Sequence, residues 1–237
     1  MRRAPGKHIP YFNLIEAMGS PGCPICRQAE EAVEAAIRHL LHELVNDSTM
    51  RARIASSFGF CHEHGWRLVA QTDVLGTAIL HRELVNRFRD LVLEGPRGWQ
   101  RSREAPARPC SLCEARDETA DRSMGVLLEQ FGDERVQEAF GRTDGLCRRH
   151  FAAAVARARD QGLRGDLVRA QEACLDRLLG NLDELIRKHD YRFREEGLRD
   201  AERDAWTRAV AAVSGLDIHR VPRARSATLP PVRRQAP

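Results

Sequence analysis

Aromatic residues make up only 5% of this 237-residue chain, and lysine occurs just twice, at Lys7 and Lys188. A core so short of rings has to be built from Leu, Val, Ile and Ala. Arginine carries almost all the positive charge, which reflects genome composition rather than arginine-specific chemistry. No apolar run approaches the ~20 residues a membrane helix needs, so no membrane span is expected. Met1 to Cys23 holds basic residues but no apolar stretch and no cleavage site, which argues against export. Strand-like alternation never persists for more than a few residues. What remains is ordinary globular composition, 42% apolar and 30% charged. The net charge of +4 is outweighed by five arginines after Asp217, so the rest of the chain is near neutral. A nucleic-acid binder carries its basic footprint on the folded domain, so nucleic acid is not an expected partner. A protein partner or a second copy stays open. Without export, the expected compartment is the reducing cytoplasm, where paired cysteines point to metal or catalysis rather than disulfides.

The seven cysteines organise the chain. Cys23-Pro24-Ile25-Cys26 is followed by Cys61-His62-Glu63-His64, and Cys110-Ser111-Leu112-Cys113 by Cys147-Arg148-Arg149-His150. Cys23 to Cys110 and Cys26 to Cys113 are offsets of 87 residues; Cys61 to Cys147 and His64 to His150 are offsets of 86. Phe58-Gly59-Phe60-Cys61 matches Asp144-Gly145-Leu146-Cys147. Motifs repeating in register over such a period mark a duplicated unit.

Within each unit the apolar period is helical. Ile25, Ala29, Val33, Ile37, Leu40 and Leu44 step by three and four, as do Leu167, Gln171, Cys174, Leu178, Leu182 and Leu185. Asp47 and Asp133 stand where N-caps belong, before short helical stretches. The expected fold is therefore all-α: a first helical unit over 1–94, a linker over 95–109, a second unit with a C-terminal helix over 110–218, and a disordered basic tail over 219–237.

A Cys-x-x-Cys turn brings two thiolates to one ion at about 2.3 Å, and a Cys-x-x-His knuckle adds a third sulfur and an imidazole. Four ligands close a tetrahedral shell with no open position, the arrangement of a structural zinc site. Cys23, Cys26, Cys61 and His64 are expected to surround one ion, and Cys110, Cys113, Cys147 and His150 the other, because a duplicated unit should first have closed its own site. His62 competes with His64, which is preferred for its match to His150. Three thiolates and Zn²⁺ leave one negative charge, which Arg27, Arg148 and Arg149 stand close enough in sequence to offset.

Two other readings of the thiols stay open. An iron–sulfur cluster on three cysteines and a histidine has the same ligand count. Cys-Pro-Ile-Cys opening a helix also resembles a redox pair, although the βαβ context of thioredoxin-like proteins is missing. Cys174 lies on an apolar helix face and reads as core. His189, Asp190, Tyr191 and Arg192 form a candidate ligand-binding segment at the end of a long helix. The competing and preferred reading is that the segment docks the last helix, with Tyr191 and Phe193 buried.

The order GCPICR, VND, GFCHEHGW, CSLC, GLCRRHF and HDYRF resembles a bacterial and archaeal domain-of-unknown-function family. Its members carry paired CPxC…GFCxxH and CxxC…GLCxxH motifs. The resemblance covers roughly Ile9 to Gly215. It implies the same eight metal-type positions and makes HDYRF a family feature, with no activity attached. The expectation is a metal-binding module that acts by binding rather than catalysis, the alternative being a thiol-redox or iron–sulfur sensor or enzyme.

Overall fold

Four aspartates set where helices begin. Asp47, Asp73, Asp133 and Asp160 each precede a helix and accept a hydrogen bond from a backbone N–H in its first turn, from Met50, Gly76, Arg135 and Leu163. Each satisfies one of the N–H groups a helix leaves unpaired at its start. Two of them, Asp47 and Asp133, are the caps expected from sequence. The computed structural model describes residues 8–98, 100 and 109–218, and among these every regular element is helical. Most of the expected linker and all of the expected tail (219–237) lie outside the described residues.

The helices are α1 (Ile9–Ala17), α2 (Pro24–His39), α3 (Ser48–Ser56), α4 (His62–Ala70), α5 (Val74–Glu94), α6 (Ser111–Gln130), α7 (Glu134–Gly141), α8 (Arg148–Arg157), α9 (Gln161–Lys188), α10 (Asp200–Arg203) and α11 (Ala205–Ser214). A π-helical segment, Leu40–Leu44, continues α2, and a 3-10 segment, Tyr191–Glu196, follows α9.

The apolar faces read from the sequence are the buried ones. Ile25, Ala29, Val33, Ile37 and Leu40 are all buried, with Leu44 at the edge of the same core. On α9 Leu167, Gln171, Cys174, Leu178 and Leu185 are buried and Leu182 packs beside them. Burying each such leucine is worth about 2 kcal/mol, which is what fixes these helices more than their intrinsic propensity does.

Two compact units result, residues 1–28 with 122–237 and residues 29–121. The smaller builds its core from Val33, Ile37, Ile54, Leu68, Leu80, Leu84 and Leu112, with Cys110 among them. In the larger, Phe131 and Phe140 meet edge to face at 5.4 Å, and Leu178 and Leu185 pack on Ala205. The unit boundaries fall inside α2 and α6 rather than near residue 94, so each unit takes sequence from both repeats.

The last helices are anchored by charge. Glu202 of α10 is fully buried and accepts from Lys188 Nζ at 2.8 Å and from the Arg199 N–H at 2.9 Å. Lys188 foremost holds this carboxyl down to about 2.

Candidate metal centres

All eight motif side chains sit at helix starts. Cys23 precedes α2, whose first residue Pro24 lacks the N–H that would be orphaned there, and Cys26 lies in its first turn. Cys110 and Cys113 take the same places on α6. Cys61 and Cys147 are the N-caps of α4 and α8, and His64 and His150 lie three residues on. A helix start favours negative charge, so the thiolates lie where the backbone stabilises them. Gly59 and Gly145 shape both knuckles with φ of +96° and +77°, conformations that side chains rarely adopt. A Cβ on Gly145 would also meet the Gln171 side chain at 2.5 Å.

The grouping of ligands differs from the one expected. Cys23, Cys26, Cys147 and His150 converge, as do Cys61, His64, Cys110 and Cys113, with the donor atoms of each group within 4.8 Å of one another. Each group thus joins the Cys-x-x-Cys of one repeat to the Cys-x-x-His of the other. The physical reason is the unit boundary inside α2: Cys23 and Cys26 belong to a different compact unit from Cys61 and His64.

In the first group Cys26 and Cys147 Sγ are 3.6 Å apart, and His150 Nδ1 lies 3.5, 3.3 and 3.4 Å from Cys23, Cys26 and Cys147. In the second, Cys61 and Cys113 are 3.6 Å apart, and His64 Nδ1 lies 3.2, 3.6 and 3.3 Å from Cys61, Cys110 and Cys113. A tetrahedral shell with bonds of about 2.3 Å to sulfur and 2.0 Å to nitrogen separates its donors by roughly 3.5–3.8 Å. The two groups are within a few tenths of an ångström of that, and all the cysteines are free thiols.

The electrostatics also fit a cation. Burial pushes the Cys23 thiol well up, and the hydrogen bond with Cys147 foremost pushes Cys26 to about 12. Cys147 is pulled down by its hydrogen bonds with Cys23 and Cys26. In the second group burial raises Cys113 to about 12, reinforced by Cys61. Beside it, burial of Cys110 is outweighed by hydrogen bonds with His64 and the backbone, which bring that thiol down to about 6. Each group thus sets a lowered thiol against a raised one, and a divalent cation is the partner that lets all three bind as thiolates. Both imidazoles turn Nδ1 to the sulfurs and leave Nε2 buried without a hydrogen-bond partner, a cost that ligation through Nδ1 offsets.

The surroundings of the two groups are not alike. Asp144, three residues before Cys147, accepts from the Gly22 N–H at 2.8 Å and from Arg208 Nη1 at 2.5 Å, so it ties the turn before Cys23 to α11. Gln171 of α9 accepts from the Leu146 N–H at 2.7 Å and donates to its carbonyl at 3.1 Å, bracing the residue before Cys147. Repeat one has Phe58 where repeat two has Asp144, and Phe58 carries the Arg87 guanidinium 5.6 Å over its ring. At the second group the nearby charge is Arg116, whose cation acts on Cys113 and whose guanidinium lies 4.0 Å from Glu63. Of the arginines named from sequence, Arg27 is buried beside Cys26, whereas Arg148 and Arg149 are exposed. Sequence reading missed the roles of Asp144, Gln171, Arg208 and Arg116; the available signals were the mismatch of Asp144 with Phe58 between aligned knuckles and a polar Gln171 on an otherwise apolar helix face.

Replacing Asp144 by alanine should cost on the order of 3 kcal/mol, because Arg208 and the Gly22 N–H stay buried and lose their shared acceptor. Denaturant titration of the metal-loaded protein measures it. The control Asp204→Ala, which removes Arg208's half-exposed partner, should cost no more than about 1 kcal/mol.

The remaining candidates separate. His62 is exposed and outside both groups. Cys174 is 1% exposed, with Sγ 3.6 Å from the Phe140 carbonyl. Tyr191, expected to be buried, is 83% exposed. Phe193 lies half-buried under the Arg187 guanidinium, 4.7 Å from the ring centroid. His189 Nδ1 is 2.8 Å from the Leu185 carbonyl, and Arg192 pairs with its neighbour Asp190 at 2.7 Å. His189, Asp190 and Arg192 thus engage locally, and the docking expected of Tyr191 is performed by Lys188 and Glu202.

Residues 7–94 and 94–219 each match a family described as "Family of unknown function (DUF6062)". The chain belongs to this family. The two DUF6062 matches meet at residue 94, one to each repeat of the cysteine motifs. An "Uncharacterized 23.9 kDa protein in xynA 3'region" of Caldicellulosiruptor sp. (strain Rt8B.4) is 26% identical over 207 residues, spanning 85% of this DUF6062 chain and 99% of that protein. No solved structure matches.

Proposed function

We propose that the chain is a zinc-clamped helical binding module of the cytoplasm, holding two structural zinc ions and working through its surface rather than by catalysis. The observation that carries this reading is the donor set: three sulfurs and one imidazole nitrogen on each of two points, spaced like a tetrahedron. Such a shell supplies no open position for a substrate. Donors within 4.8 Å of one another leave room for a single ion and not for a multi-iron core. Each compact unit exposes a tryptophan, Trp66 at 64% in one and Trp206 at 61% in the other. No helix among the described residues is long and apolar enough to cross a membrane.

Elemental analysis of freshly purified protein, together with its visible spectrum, tests the reading. Two zinc ions per chain and a colourless solution are expected. One ion per chain, or the absorbance of ferric thiolate or an iron–sulfur cluster, would overturn it.

A further inference from the structure

The two metal groups share ligand types, helix-start positions and a sulfur pair 3.6 Å apart, yet they differ in access. Cys23, Cys26, Cys147 and His150 are all buried, between 2% and 8% exposed. Their cover includes Leu216, itself 6% exposed, whose backbone hydrogen-bonds Cys26 and whose side chain lies against Gly22. In the other group His64 and Cys110 are buried at 0% and 8%, but Cys61 and Cys113 are partly open to solvent. Those two thiols are already in contact, and they come from different repeats. Cys110, the nearer sequence partner of Cys113, belongs to the core of its unit.

We propose that Cys61 and Cys113 are the oxidisable pair of the chain: a hydroperoxide converts them to a disulfide that links the two repeats and releases the ion of that group, while the Cys23 group keeps its own. This rests on the zinc reading above. In the first step one thiolate attacks a peroxide oxygen, the O–O bond breaks, and the products are a sulfenic acid and an alkoxide, or hydroxide from hydrogen peroxide. In the second, the other thiolate attacks the sulfenic sulfur and displaces hydroxide. The sulfurs lose two electrons, the peroxide gains them, and two solvent protons convert the displaced anions to alcohol and water. Cys110 and His64 are then the only donors left, two short of a closed shell. Reactivity of this kind needs both thiolate character and access, and the Cys26–Cys147 pair, at the same separation, lacks the access.

The experiment treats the full-length chain, loaded with two zinc ions, with hydrogen peroxide. Released zinc is followed with a chromogenic indicator, and the cysteines are mapped by peptide mass spectrometry without reduction. One ion per chain should be released, in step with a Cys61–Cys113 link, while Cys26 and Cys147 become alkylatable only after denaturation. Release of both ions at one rate, no release, or a Cys110–Cys113 link would overturn the proposal while leaving two structural sites intact. A chain that takes up fewer than two ions at the outset would overturn the zinc reading instead.

Discussion

Chelation of both ions is expected to unfold most of the chain, with loss of the larger part of its helical circular dichroism and of its cooperative melting transition. The argument is one of magnitude. A structural zinc site contributes an apparent ~10–16 kcal/mol in small modules at neutral pH. A whole domain is stable by only about 5–15 kcal/mol. Each compact unit holds one of the two groups, so neither can lose its ion and keep the stability of the other. Without the ion, three thiols crowd at contact distance around an imidazole nitrogen with no cation to hold them together. Short helices such as α4 and α8, of 9 and 10 residues and each opening at a ligand knuckle, are marginal by themselves in water. Zinc added back under reducing conditions should restore the signal, because no covalent bond was broken. Undiminished helicity and an unshifted melting temperature after verified metal removal would show that packing alone sustains the fold.

What could be read in advance was whatever is local. A Cys-x-x-Cys turn, an aspartate cap and an apolar stripe stepping by three and four are each complete within one or two helical turns, and each is found where the residues put it. Residues that act across distance left no such trace. Lys188 and Glu202 are 14 positions apart and follow no apolar period, so their buried pair was hidden behind the more conspicuous Tyr191 and Phe193. Asp144 and Arg208, separated by 64 positions, are invisible for the same reason. The ligand grouping is the sharpest case. Cys23 and Cys26 are compatible in residue type and spacing with either knuckle, and duplication makes the two knuckles nearly interchangeable. Only the course of α2, which leaves one unit at residue 28 and continues in the other, decides between them.

That decision can be tested by counting ions. Cys26→Ser should remove the ion of its group, since a serine hydroxyl does not replace a thiolate on zinc. If Cys26 and Cys147 serve one ion, the double variant Cys26→Ser with Cys147→Ser loses nothing further and retains one ion per chain. If Cys26 and Cys61 serve different ions, the double variant Cys26→Ser with Cys61→Ser retains none. Grouping within repeats reverses both results: the first pair would hold no ion and the second would hold one. Stability should follow the same pattern, because changes at one site are strongly non-additive while changes at independent sites add. The Cys26/Cys147 double variant should therefore melt close to either single variant, and the Cys26/Cys61 double variant should show little cooperative transition. Stoichiometry is the more secure readout, because the intact group keeps its four ligands inside its own compact unit. One ion retained by the Cys26/Cys61 variant would mean that each repeat closes its own shell.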